Sequence, residues 1–324
     1  MKMSVSRRGF LAGTVGAAAL LGLPAFAQEF PAKAFTYIVP YTPGGMSDNI
    51  SRLIGQKLTE KTGQQVVNDY KPGAGGAIGA NFYTKTPDDG YTLLQATNSF
   101  FGVIPFVTKV EYDPLTDLTP LVLVGDAPMV MAVHPSVQAN TLEEFIAYAK
   151  ANPGALAYAT AGKGTVGHLC GEWLQERAGI ELLHIPYNGA APGFQAAVAG
   201  EAQVVFGPEA AEFISAGSLK GIAVLGAQRW DRLPDLPTTA EAGIDGWTPR
   251  SWHTVVVHSS TPDAVKERLN NLLNEALAED STVQALRNFG LIPGIASLAE
   301  MKQRAVDDNT QFGELIRNAG LAVQ

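Results

Sequence analysis

Short apolar runs recur along this chain, each followed by a glycine-rich loop and then by apolar residues three or four positions apart. A short apolar run suits a strand, and the longer spacing suits one face of a helix, so the alternation predicts an α/β fold. The run FTYIVPY (35–41) leads through Thr42-Pro43-Gly44-Gly45 into a helix predicted from Ser47. Ile50, Leu53, Ile54 and Leu58 share its apolar face, and Gly63 is its stop. Ser47 suits an N-cap because its hydroxyl can accept from a free backbone N–H, and Asp48 suits the positive end of the helix dipole. QQVVNDY (64–70) repeats the theme, with a loop over 71–76 and a helix over 77–84. Pro87-Asp88-Asp89-Gly90 then marks a turn, and YTLLQAT (91–97) is a third strand ending at Asn98-Ser99. In a parallel sheet such strand ends share one edge, and ligands bind there.

A second set begins near Pro128. MVMAVHP (129–135), LAYAT (156–160), LLHIPY (182–187), AQVVFG (202–207) and GIAVLG (221–226) read as strands, with helices near 142–151, over 168–176 and after Pro192. The stretch 227–251, with Pro234, Pro237 and Pro249, reads as irregular surface. HTVVVHS (253–259) reads as a strand returning to the first set, followed by a long helix over 262–278 and two shorter ones. The predicted organisation is two α/β lobes, 28–127 plus 251–324 and 128–250, with the chain crossing twice and a cleft between them.

Residues 1–27 stand apart. Paired arginines, a Gly/Ala/Leu-rich run and Ala25-Phe26-Ala27 form an export signal cleaved after Ala27. Ser6-Arg7-Arg8-Gly9-Phe10-Leu11 fits the twin-arginine pattern, which places the mature chain in the periplasm. Cleavage removes Lys2, Arg7 and Arg8 from 23 basic residues and no acid, leaving 20 against 31 acidic residues and a net charge of −11. Such a surface repels nucleic acid and anionic membrane. Hydrophobic content of 46% with 17% charged residues is that of a globular protein, and the single cysteine, Cys170, excludes an internal disulfide and reads as a buried small hydrophobe.

The glycine-rich loops invite a phosphate reading, and their spacing argues against it. A Walker A loop ending at Gly162-Lys163 needs glycine at 157 and Ser or Thr at 164, where the chain has Ala157 and Gly164; a dinucleotide fingerprint from Gly73 needs glycine at 78, which is Ile78. His134, His168, His184, His253 and His258 show no metal-ligand spacing, and Gly45-Met46-Ser47-Asp48-Asn49 lacks the second glycine of a nucleophile elbow. No metal, cofactor or catalytic residue is assigned. Four predicted helix starts remain, after Gly44-Gly45, Gly75-Gly76, Gly164-Thr165 and Asn188-Gly189. Their free backbone N–H groups make an anion site without lysine or arginine.

The segments VPYTPGGMSDNISRLIGQKL, KPGAGGAIGA, PDDGYTLL, YDPLTDLTPLVLV, HPS, AYATAGKGTVGHL and HIPYNGAAPGFQAAVAGEAQVVF, in this order, carry a further resemblance. The chain resembles the Bug family of extracytoplasmic solute receptors, the periplasmic binding components of tripartite tricarboxylate transporters. The resemblance implies a two-lobed periplasmic-binding-protein fold, type II-like, with a hinge, closing as a monomer over a small organic carboxylate for a membrane permease. It implies a ligand set of Tyr41, Gly44, Gly45, Met46 and Ser47, then Gly75, Gly76 and Ala77, then Asn98 and Ser99. From the other lobe it adds Lys163, Gly164, Thr165 and His168, and Tyr187 with Asn188. The chain departs from the family at two places. Gly207-Pro208-Glu209 follows the strand VVF where many relatives carry an acid soon after it, so the group that would meet an amino or distal polar group is displaced or absent, which argues against an amino-acid ligand. Trp252-His253 replaces an aromatic followed by glycine, and offers either an aromatic wall, a second carboxylate partner or mere hinge packing. A sensor module for a membrane kinase and a secreted hydrolase are the alternative readings of the same cleft.

Overall fold

The computed structural model describes residues 30–318 and 320–322, so the export signal lies outside the described residues. The first set of elements is β1 (Phe35–Val39), α1 (Met46–Thr62), β2 (Val66–Tyr70), α2 (Ala77–Tyr83), β3 (Thr92–Thr97), α3 (Ser99–Gly102), α4 (Ile104–Val107), β4 (Leu118–Pro120) and β5 (Gly125–Pro128). The second is β6 (Val130–Val133), α5 (Leu142–Ala151), β7 (Ala157–Thr160), α6 (Val166–Ala178), β8 (Leu183–Pro186), α7 (Ala190–Val198), β9 (Val204–Phe206), α8 (Ala210–Ser215) and β10 (Lys220–Val224). The chain then returns as β11 (Arg250–His258), α9 (Asp263–Leu277), α10 (Asp280–Asn288), β12 (Ile292–Pro293) and α11 (Leu298–Asn318).

Two sheets result. The seven-stranded sheet runs β12-β5-β11-β3-β1-β2, with β4 also paired to β11; the five-stranded sheet runs β10-β6-β9-β7-β8. β1 pairs in parallel with β2 and β3, as the alternation of strand and helix requires, whereas the returning β11 runs antiparallel to β3, with His253 opposite Thr97. The matching parallel group in the second sheet is β8-β7-β9. Mixed α/β architecture on two sheets is thus established.

Each sheet is covered by the apolar faces that the spacing singled out. Ile50, Ile54 and Leu58 of α1 are fully buried and pack with Phe35, Tyr37 and Leu93, while Leu53 is half-buried at the margin of that core. Cys170 is fully buried among Tyr158, Leu174 and Phe206.

Several boundaries differ from those predicted. α1 begins at Met46 with Gly45 as its cap, because Gly45 is extended (φ −98°, ψ −178°) and the chain turns helical one residue early; Ser47 therefore lies inside the first turn. α6 begins at Val166 because the Thr165 hydroxyl caps it, accepting from the His168 N–H at 3.4 Å. β11 begins at Arg250, inside the stretch read as irregular. The last helix, predicted to be short, is α11, with 21 residues. Its buried residues are widely spaced because it serves two cores: Met301 and Ala305 pack with Phe100 and Trp252, whereas Phe312 and Ile316 join the cluster of Met131, Tyr158 and Phe206.

The chain passes between the sheets twice, at Met129 and between Val224 and Arg250. The two passages lie side by side, with Pro128 opposite Arg250 and the Met129 N–H donating to the Pro249 carbonyl at 3.3 Å. Asp126 of β5 ties them to α11, accepting from Arg250 and from Arg304, the latter at 2.9 Å.

Candidate functional site

Between the two sheets lies a cleft. Its first wall is the loop and helix start after β1, where Tyr41, Thr42, Gly45, Met46 and Ser47 line the space. No side chain caps α1 at Gly45, so the backbone donors of its first turn are left for other partners. Asp48 lies in the first turn of α1, as expected, and its side chain turns back over the loop. Its carboxylate accepts from the Gly44 N–H at 2.8 Å, from Arg52 at 2.8 Å and from the Tyr70 hydroxyl at 2.6 Å. Burial works against its charge, but these donors outweigh it and hold the carboxyl below the usual carboxylate range.

The second sheet supplies two further helix starts. Thr165, Val166 and Gly167 at α6 line the cleft, as do Ala190, Gly193 and Phe194 at α7, whose cap, Gly189, also lacks a side-chain bond. Three of the four expected helix starts therefore border one cavity. The fourth, at Gly75-Gly76-Ala77, does not line it. Tyr41 donates its hydroxyl to the Gly75 carbonyl at 3.0 Å, which places this loop behind the first wall. Gly75 instead meets the opposite loop: a Cβ on it would stand 2.1 Å from the Lys163 carbonyl oxygen.

Other candidates are placed around the cavity rather than in it. Gly44 is exposed at the loop tip. Lys163 is exposed, and its neighbour Gly164 packs against Val107 and Ile104. His168 lies behind the loop 161–165, its Nδ1 accepting from the Gly164 N–H at 3.5 Å and its ring 4.4 Å from that of His184. Tyr187 is half-buried, and Asn188 is exposed with its carbonyl accepting from the Thr42 N–H at 3.0 Å. Asn98 is buried under the wall, where its side chain donates to the Arg250 carbonyl at 2.8 Å; Ser99 beside it does line the cleft.

The pair Trp252-His253 divides. Successive residues of a strand face opposite ways, so Ser251 and His253 line the cleft while Trp252 points behind it. The indole stacks on Phe101 at 5.6 Å, donates to Asp308 at 2.6 Å and lies under the Arg304 guanidinium. It forms no wall for a ligand. His253 is 4% exposed, not a surface residue.

The acid expected to be displaced or absent lines the cleft. Gly207, Pro208 and Glu209 all line the cleft, because β9 ends at Phe206 and the chain turns directly along the cavity into α8. Part of Glu209 opens on the cavity, but protein surrounds it closely; that burial, with Glu212 adding repulsion, pushes its carboxyl above the usual range. Thr97, Met129, Ala159, Thr160, Ala161, Val205 and Phe206 complete the lining that sequence reasoning missed. Thr97 and Thr160 were accessible to it as the last residues of two strands at the binding edge. No lysine or arginine lines the cavity, and burial pushes the His253 imidazole down to about 4, leaving it neutral. What the arrangement offers an anion is therefore backbone N–H groups, hydroxyls and one neutral ring.

Comparison with known proteins agrees with this construction. Residues 50–321 match the family described as the tripartite tricarboxylate transporter family receptor. Protein BugT of Bordetella pertussis is 32% identical over 322 residues, covering 98% of this chain and 99% of its own. A solved structure of R. palustris Rpa4515 with adipate superposes with a TM-score of 0.86 at 32% identity, covering 90% of this chain and 99% of that one. MatC from Rhodopseudomonas palustris, solved with bound malate, gives a TM-score of 0.84 at 25% identity, covering 89% and 100%. The chain belongs to the tripartite tricarboxylate transporter receptor family, a family of periplasmic solute-binding proteins with this two-sheet fold.

Proposed function

We propose that this protein captures a small organic carboxylate in the periplasm by closing two lobes over it, and hands it to the membrane permease of a tripartite transporter without making or breaking a bond. The lobes are 28–127 plus 251–324 and 128–250, hinged where the paired passages cross at Met129 and Arg250. Residues 1–27 direct export by the twin-arginine route, and the mature chain acts as a monomer.

The carrying observation is the convergence of the α1, α6 and α7 helix starts on a cavity lined by no cationic side chain. Backbone donors at helix starts neutralise a carboxylate without an ion pair, which keeps binding reversible in an acidic protein. In this reading Gly45, Met46 and Ser47 hold one carboxylate with Thr165 and the start of α7. Gly44, Gly75, Gly76, Ala77, Lys163, Gly164, Tyr187 and Asn188 shape and close the mouth, and Asn98, Ser99, His168, Trp252 and His253 support the wall. The adipate and malate carried by two relatives support a diacid of four to six carbons.

A thermal-shift panel of aliphatic and aromatic mono- and dicarboxylates tests this. A true ligand at about 100 times its dissociation constant adds about 2.7 kcal/mol and raises the melting temperature. A panel in which amines or sugars shift the protein and no carboxylate does would overturn the reading.

A further inference from the structure

His253 is held from behind by side chains that run from the cleft into the core. Tyr37, fully buried in β1, donates its hydroxyl to Gln95 Oε1 at 2.8 Å. With that oxygen engaged, the Gln95 amide nitrogen lies 3.4 Å from His253 Nδ1 and 3.5 Å from the Ala96 carbonyl oxygen. The Ala96 carbonyl decides which end of the amide faces His253, since an N–H is attracted to it and a second oxygen would be repelled.

An amide nitrogen only donates, so His253 Nδ1 must accept. A neutral imidazole carries a single ring proton, which is then on Nε2. Among the described residues Nε2 has no protein partner, and the ring lines the cleft. The other ionisable groups lining the cleft are Tyr41 and Glu209, neither of them a cation.

We propose that Gln95 is a positioning residue that fixes His253 as a neutral Nε2–H donor, so that the far end of the ligand presents an acceptor oxygen, of a second carboxylate or a carbonyl, and not an ammonium. The ligand half of this inference rests on the carboxylate reading above; the tautomer half stands on the protein alone.

Long-range proton–nitrogen NMR of the histidine rings reads the tautomer directly. The wild-type His253 ring carries its proton on Nε2, with or without ligand. Gln95→Met, close in volume and unable to donate, leaves the proton shared between the two nitrogens, and Tyr37→Phe, which frees the amide to turn, does so in part. Calorimetry with glutarate and 4-aminobutyrate, equal in chain length and different only at one end, reads the ligand. Glutarate binds about tenfold or more tighter to the wild type, and Gln95→Met narrows that ratio. A wild-type ring protonated on Nδ1, a tautomer untouched by both variants, or 4-aminobutyrate binding as tightly as glutarate overturns the proposal. Should no carboxylate bind at all, the functional reading falls, and the wild-type spectrum still decides the role of Gln95.

Discussion

Thr42 and Asn188 meet across the cleft, the backbone N–H of the first donating to the carbonyl of the second at 3.0 Å. The two residues belong to loops after β1 and after β8, one from each sheet, so this bond exists only while the sheets stand close. Three glycines make the approach possible. A Cβ at Gly189 would lie 2.8 Å from Thr42 Oγ1, one at Gly162 would lie 2.6 Å from Gly75 Cα, and one at Gly75 would overlap the Lys163 carbonyl. At these three positions the facing loops approach so closely that none leaves room for a Cβ.

Gly75→Ala should therefore act on closure. The residue has φ +64°, so alanine costs about 1–2 kcal/mol in either state, but the clash with Lys163 arises only when the loops meet. The variant should remain folded, bind its carboxylate at least about tenfold more weakly, and lose the decrease in radius of gyration that saturating ligand produces in the wild type by small-angle X-ray scattering. Gly63→Ala is the control. Gly63 closes α1 away from the cleft with φ +71°, so alanine meets the same backbone strain, but an added Cβ finds nothing within 4 Å, and affinity should stay close to wild type. Equal binding and compaction in both variants would rule out this effect on closure.

How much of this was legible in the sequence follows from which interactions are local. The runs ending at Tyr41, Tyr70, Thr97, Thr160 and Tyr187 announce parallel strands because strand, glycine loop and helix follow one another within a few residues, and the three helix starts on the cleft came with them. α11 was underestimated because its buried positions answer to two separate cores, which blurs a single periodic face. Glu209 was misplaced because its position depends on how β9 meets α8, not on its distance along the chain from VVF. Gln95 looked like one polar position in an apolar strand, and only the return of β11, pairing Val255 with Gln95 and His253 with Thr97, gives it a partner.

Three histidines make stability fall on mild acidification. Burial pushes His168, His184 and His253 down to about 4, with Lys163 adding repulsion at His168, and His168 and Lys163 opposing Glu172 at His184. Their unfolded values lie near 6.5. A depressed folded value means that the unfolded chain takes up protons first, so the stability these rings contribute is complete above pH 6.5 and is lost as pH falls toward 4. Each ring can account for about 2–3 kcal/mol across that window. Urea unfolding at pH 7 and pH 5 should show the loss. His168→Gln with His184→Gln should remove about half or more of the difference attributable to the rings, with His253 and His258, which burial also pushes down, keeping the rest, because glutamine takes up no proton in either state. An unchanged pH dependence in the double variant would show that the carboxylates alone set it.

Glu209 makes the opposite demand on ligand binding. Its folded value is raised, first by burial and then by Glu212, so the neutral form is favoured to higher pH than in a free glutamate. No lysine or arginine lines the cavity to offset its charge once it ionises. A carboxylate ligand in the same cavity repels ionised Glu209 and accepts a hydrogen bond from the protonated form. Binding of the anion and protonation of Glu209 therefore favour each other, and affinity should decline as pH rises through the raised value, by at most about tenfold per pH unit for one proton. Glu209→Gln keeps the volume and the hydrogen-bonding capacity and cannot ionise. Calorimetry from pH 5 to pH 8 should show a falling affinity in the wild type and a flat one in the variant, with the variant the tighter binder at pH 8. A ligand that binds wild type more tightly at pH 8 than at pH 5, and loses that gain in Glu209→Gln, would instead carry a positive charge toward Glu209, and the diacid assignment would give way to an amino acid.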